Sequence, residues 1–295
     1  MDTQARRLTM LNSSVRREAL ENLKKSVDEH VEVRENATEA SAELFSQRRR
    51  ATGEVIGRVE AYINTLANSP KEFDKTVDHY RVEAGRFESR VEQLEAEAAQ
   101  SDKVGKAGGA AGAAFGVGVA ALGPSVAVAI ATTFGTASTG MAISALSGAA
   151  ATNAALAWLG GGALAAGGGG MAAGKVLLAL AGPVGWTVAG AALVGAAAYL
   201  RYQNRKQAEE ATQRRIEVEA EIRSLRAAMA EIEALTASVI RHADGCLGDL
   251  DWLEKEAPRD YRQFGKSEKQ RLMALVNNIQ SLGKLLSSKV AYGQA

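Results

Sequence analysis

The chain has a single cysteine, Cys246, so no disulfide can form within it and nothing in it points to an oxidising compartment. Aromatic residues make up only 5% of the 295 residues and there are only 4 prolines, too little of the material from which sandwiches and barrels are built. The N-terminus runs from Met1-Asp2-Thr3-Gln4-Ala5-Arg6-Arg7 straight into charged sequence. It has no apolar leader, and the expectation is a protein made and held in the cytosol, unless it leaves by lysis or a dedicated machine, and later meeting a membrane. A net charge of +1 gives no global attraction to nucleic acid. The most telling absence is local. Between Lys106 and Arg201 the only charged residue is Lys175.

On either side of that block the pattern is helical. Phe73, Val77, Tyr80, Ala84, Phe87, Val91, Leu94 and Ala98 alternate steps of four and three, the 3.5-residue repeat of a bundle or coiled-coil seam. Ser69-Pro70-Lys71-Glu72 predicts the start of this helix, with Ser69 as N-cap and Glu72 closing a capping box. Upstream, Leu20, Leu23, Val27, Val55, Val59, Tyr62 and Leu66 carry a less regular stripe, implying a long helix that ends near Asn68. After the block, Val218, Ile222, Leu225, Met229, Ile232, Thr236 and Val239 repeat the seam. Asp244-Gly245 reads as its stop, and Ser267-Glu268-Lys269-Gln270 as the cap of a last helix bearing Leu272, Leu275, Ile279, Leu282 and Leu286. Helices of roughly 30–45 residues span about 45–70 Å. The expected fold is all-α: an elongated helical bundle or coiled-coil stalk whose two seams pack antiparallel, carrying a Gly/Ala-rich hydrophobic head. The expected parts are residues 1–106, 107–200 and 201–295.

The block far exceeds the roughly 20 apolar residues of a membrane-crossing helix. Gly108, Gly112 and Gly116 form overlapping GxxxG, and Ala191 and Gly195 repeat the theme. Small residues at that spacing let helix backbones approach closely in lipid. Lys103 and Lys106 flank one end, and Arg201, Arg205 and Lys206 the other, which places both ends on the same side and calls for two or four crossings. Trp186, Tyr199 and Tyr202 are candidate interfacial anchors. Ala and Gly gain little from lipid and Lys175 is costly in it, so conditional insertion is expected over permanent insertion.

No catalytic constellation is legible, and no cofactor, metal or small-molecule substrate is expected. Gly169 to Lys175 matches GxxxxGK, but Val176 stands where Ser or Thr would hold Mg²⁺ and no acidic residue follows until Glu209. In so glycine-rich a stretch the match reads as chance. His30, His79 and His242 lack ligand spacing and read as solvated or seam-edge residues. Arg48-Arg49-Arg50 reads as a solvated helix face, and Cys246 as an ordinary small residue near a helix end.

Charged helical stalk, long Gly/Ala-rich insertion and returning stalk together resemble the α-helical pore-forming toxins of the cytolysin A and haemolysin BL type. The likeness to apolipoprotein L-like and colicin-like membrane-inserting proteins is weaker. The resemblance is one of architecture, and the run Ala154 to Met171 is similar to segments in many bacterial proteins. It implies a soluble form, a head released on contact with a lipid bilayer, and a homo-oligomer, with or without further protein components, that perforates it. A membrane-anchored coiled-coil scaffold or accessory subunit is the alternative reading.

Overall fold

The computed structural model describes the backbone of residues 2–107, 123–134 and 196–290. Six α-helices account for nearly all of it: α1 (Asp2–Arg50), α2 (Ile56–Thr65), α3 (Lys71–Ala107), α4 (Gly123–Thr133), α5 (Ala196–Glu256) and α6 (Lys266–Ser287). A π-helical turn, Ala51–Val55, joins α1 to α2, and a 3-10 turn, Tyr261–Gln263, precedes α6. Among the described residues there is no strand, only two isolated bridges, Ala67 with Asp260 and Phe134 with Val290. The all-α class expected from the two periodic zones is therefore observed.

The chain divides into two compact units, one holding residues 1–36 and 161–227 with Ala295, the other 37–160 and 228–294. In the first unit α1 and α5 run parallel: Arg16 Nη1 donates to Asn204 Oδ1 at 3.0 Å, Ser26 Oγ to Glu219 at 3.5 Å, and Arg226 pairs with Glu29 at 2.7 Å. The seam buries Leu23, Val33, Val218, Ile222 and Leu225 as the 3.5-residue repeat requires. It also buries Ser26 and His30, whereas Leu20 and Val27 are only half-buried. His30 is thus a seam residue rather than a solvated one, and burial, followed by the charge of Arg34, holds its imidazole down at about 4.

The second unit is a bundle of four helical strands running up, down, up and down. Contacts of α1–α2 with α3 step in opposite senses, as in Arg81 with Glu60 and Arg49 with Glu95, so these helices are antiparallel. Contacts of α1–α2 with α5 step together, as in Arg50 with Asp244 at 2.9 Å and Arg58 with Asp251 and Glu254. The second half of the expected stalk accordingly runs parallel to the first helix and against α3. Helix α6 returns along α5 and lies beside α3, where Gly283 faces Tyr80 and Gln280 reaches Thr76. At one end the two loops are tied together: Ala67 N donates to Arg259 O, Tyr261 N to Ala67 O, and Asn68 Nδ2 to Asp260 Oδ1. Asn68 takes φ 56°, the left-handed conformation that Asn tolerates better than most residues.

Three helix boundaries differ from expectation. The α5 helix runs through Asp244-Gly245 to Glu256, because the seam continues through Ala243, Cys246, Leu250 and Leu253, all buried. Each such leucine is worth roughly 1.5–3 kcal/mol, more than the ~1 kcal/mol that one glycine costs a helix. A Cβ on Gly245 would lie 2.7 Å from Asn278 Nδ2, so the glycine permits the close approach of α6. At α3 the Pro70 carbonyl receives Phe73 N and Asp74 N, and Ser69 Oγ bonds the Asp74 carboxylate instead of capping the backbone. At α6 the N-cap is Gly265, two residues before Ser267, with the Glu268 carboxylate folded back against it. The seam position expected for Met229 is shared: Ala228 is buried and Met229 half-buried.

Candidate functional site: the uncharged segment and its cationic clasp

Of the uncharged block, α4 is the internal piece whose structure is described. Its sequence, Gly-Pro-Ser-Val-Ala-Val-Ala-Ile-Ala-Thr-Thr, puts proline in the first turn, where the missing N–H costs nothing. From Val128 to Phe134 every residue is buried, none more than 2% exposed. A helix turn apolar on all sides needs such complete enclosure, or lipid. Helix α3 packs against it.

The C-terminal end of a helix leaves carbonyls without partners, and here they are taken by a clasp. Arg48 Nη1 donates to Thr132 O at 3.2 Å and Lys289 Nζ to the same oxygen at 2.6 Å. Val290 N donates to Thr133 O at 2.9 Å, and Arg48 Nη2 to Ser288 O at 2.7 Å. Two cations at a helix C-terminus also complement its dipole. Arg48 is fully buried, which corrects its expected place on a solvated face; Arg49 and Arg50 do lie outward, paired with Glu88, Glu95, Glu54 and Asp244. The burial follows from the seam, since Leu44, Arg48, Ala51 and Val55 step by four, three and four. That spacing was available in the sequence, whereas nothing there marked Lys289. Burial lowers the Arg48 guanidinium to about 10; burial, then the charges of Arg48 and Arg90, pulls the Lys289 amine down to about 7.

The seam residues Phe73, Val77, Tyr80, Phe87, Val91, Leu94, Val218, Ile222, Leu225 and Ile232 are all buried. Lys103 and Lys106 lie in the last turns of α3, and Tyr199 and Arg201 in the first turns of α5. Tyr202 is exposed, while Arg205 and Lys206 pair within α5 with Glu209 and Glu210 at 2.8 and 3.8 Å. Gly108, Gly112, Gly116, Trp186, Ala191 and Gly195, with the GxxxxGK match, lie outside the described residues. Among the described residues no helix is long and apolar enough to cross a membrane, and no cluster of side chains could hold a metal ion.

Other polar features have structural roles. His242 Nδ1 meets Asn278 Oδ1 at 2.9 Å, and buried Asp249 receives Arg271 at 3.1 Å, fixing α5 against α6. Cys246 sits inside α5, not near its end, and burial, then Asp249, pushes its thiol up to about 12, where it is no nucleophile. A shallow groove in the first unit is lined by Val15, Arg205, Ala208, Glu209, Thr212 and Gln213, and its two charged groups, Arg205 and Glu209, pair with each other. No protein-family model, curated protein or solved structure matches the chain.

Proposed function

We propose that this protein is a conditional membrane-inserting, pore-forming or membrane-disrupting effector, without enzymatic activity, that oligomerises through the small-residue ridges of its uncharged block. The observation that carries the reading is that residues 128–134, the C-terminal half of α4 and the residue after it, lie enclosed in protein while α4 contains no charged group that would bar it from lipid. Moving Val128, Ile130 and Phe134 from a protein interior to hydrocarbon changes their apolar surroundings little, since lipid tails are as apolar as the core. The exchange is then governed by the few polar bonds of the clasp. With 11 residues α4 is about 16 Å long against roughly 30 Å of hydrocarbon, so a crossing needs neighbouring residues of the block as well.

The test is to add the purified chain to dye-loaded liposomes. Release of dye is expected, together with sedimentation of the chain with lipid. Retention of dye across lipid compositions, pH values and added partners would remove the reading. The membrane-anchored scaffold remains the second reading, because α3 and α5 continue as helices to the edges of the block at Ala107 and Ala196. It requires that no detergent-free soluble form exist and that no dye escape.

A further inference from the structure

The cations of the clasp are poorly matched to what they hold. Arg48 is completely buried, yet only two of its nitrogens are used, each by a neutral backbone carbonyl, and Nε has no partner. No carboxylate touches Arg48 or Lys289 among the described residues. Arg90 lies near enough for its charge, after burial and the charge of Arg48, to help depress the Lys289 amine. A buried guanidinium normally finds a carboxylate or a phosphate, whose paired oxygens suit its planar fork; charge-assisted bonds of that kind are about twice as strong as those to a carbonyl. The cluster is reachable, because Lys289 is only half-buried and follows the end of α6 in extended chain.

We propose that Arg48 and Lys289 form a binding site for a phosphate-type oxyanion, free or carried by a lipid headgroup, which takes both cations from the Thr132 carbonyl and so loosens the C-terminal end of α4. An anion there pairs the unused Nε and offsets the local positive charge. In exchange, Thr132 O loses both of its donors from the clasp. The vesicle arm of this proposal rests on the membrane reading above; its solution arm does not.

Amide hydrogen exchange over 123–134 and 286–290 of the full chain tests it in four media: chloride, inorganic phosphate at matched ionic strength, phosphatidylcholine vesicles, and vesicles containing phosphatidylglycerol. Phosphate is expected to speed exchange of these segments about ten-fold over chloride, an opening made easier by the equivalent of ~1.4 kcal/mol. Vesicles containing phosphatidylglycerol should do the same and phosphatidylcholine should not. Lys289→Met, which keeps most of the side-chain volume, should abolish the response, and Lys289→Arg should keep it. Arg48→Met is a second probe if it folds. Exchange equal in phosphate and chloride, or a response undiminished in Lys289→Met, overturns the site. A phosphate response without dye release from any vesicle leaves the site standing and removes the membrane reading. Dye release that ignores both phosphate and Lys289 does the reverse.

Discussion

His30 and Arg48 occupy seam positions where an aliphatic side chain would be ordinary, and both carry a cost that can be measured. His30 is 4% exposed and its folded-state value of about 4 lies below the ordinary 6.5. The folded form therefore favours the neutral ring. As pH falls below about 6.5 the unfolded chain takes up a proton first, and stability is lost until about pH 4, by roughly 3 kcal/mol in all. Arg34 on the same helix adds to the effect, while Glu29 is engaged by Arg226. Melting temperatures of wild type and His30→Leu, compared across that interval, should diverge as the medium becomes acid, with the variant less sensitive. Arg48→Ala leaves Ser288 O without its donor and opens a void, and should destabilise the second unit by about 2–4 kcal/mol in urea unfolding.

At the scale of elements, two glycines in α5 make a controlled comparison. Gly248 has nothing within 4 Å of an added Cβ, whereas at Gly245 the Cβ would meet Asn278, itself held by His242 and Asp249. Gly248→Ala should raise stability by about 0.5–1 kcal/mol through helix propensity alone. Gly245→Ala should fail to gain this and lose about 1 kcal/mol as the Asn278 bonds are displaced. Thermal unfolding of the two variants should shift in opposite directions. The π turn has an identifiable partner too: Ala51 O receives both Ile56 N, five residues on, and the buried Tyr80 hydroxyl at 2.8 Å. The wider turn inserts one residue into the seam, so that the step from Val55 to Val59 is four where three was due.

The whole molecule is where the insertion reading makes its sharpest prediction. If α4 has to leave its site, tying it down should stop the activity. Phe134 and Val290 face each other across a parallel bridge, and a Phe134→Cys, Val290→Cys pair would join α4 to the chain that follows α6. Cys246 is buried and should not interfere. The oxidised variant is expected to hold dye inside liposomes, and added reductant to restore release; equal leakage from both forms would show that α4 stays in place during insertion. Gly112→Leu and Gly116→Leu should leave helix content unchanged and shrink the oligomer, as sedimentation would report.

Periodicity and charge by themselves determined the helical class, the seam faces of α3, α5 and α6, and the uncharged block, because each is a property of neighbouring positions along one chain. The uncharged block says what such a segment tolerates, and tolerance is the same for a protein interior as for hydrocarbon. Only the tertiary structure decided that residues 128–134 are enclosed, that α5 runs parallel to α1, and that Arg48 turns inward to meet Lys289 on Thr132. Asp244-Gly245 shows the same division. Its local preference is to stop a helix, and that preference yielded to the burial of Ala243, Cys246, Leu250 and Leu253, while Gly245 admits Asn278, a residue 33 positions further along the chain. Local pattern sets what each segment can become; contacts between distant segments, worth several kcal/mol together, select among those options.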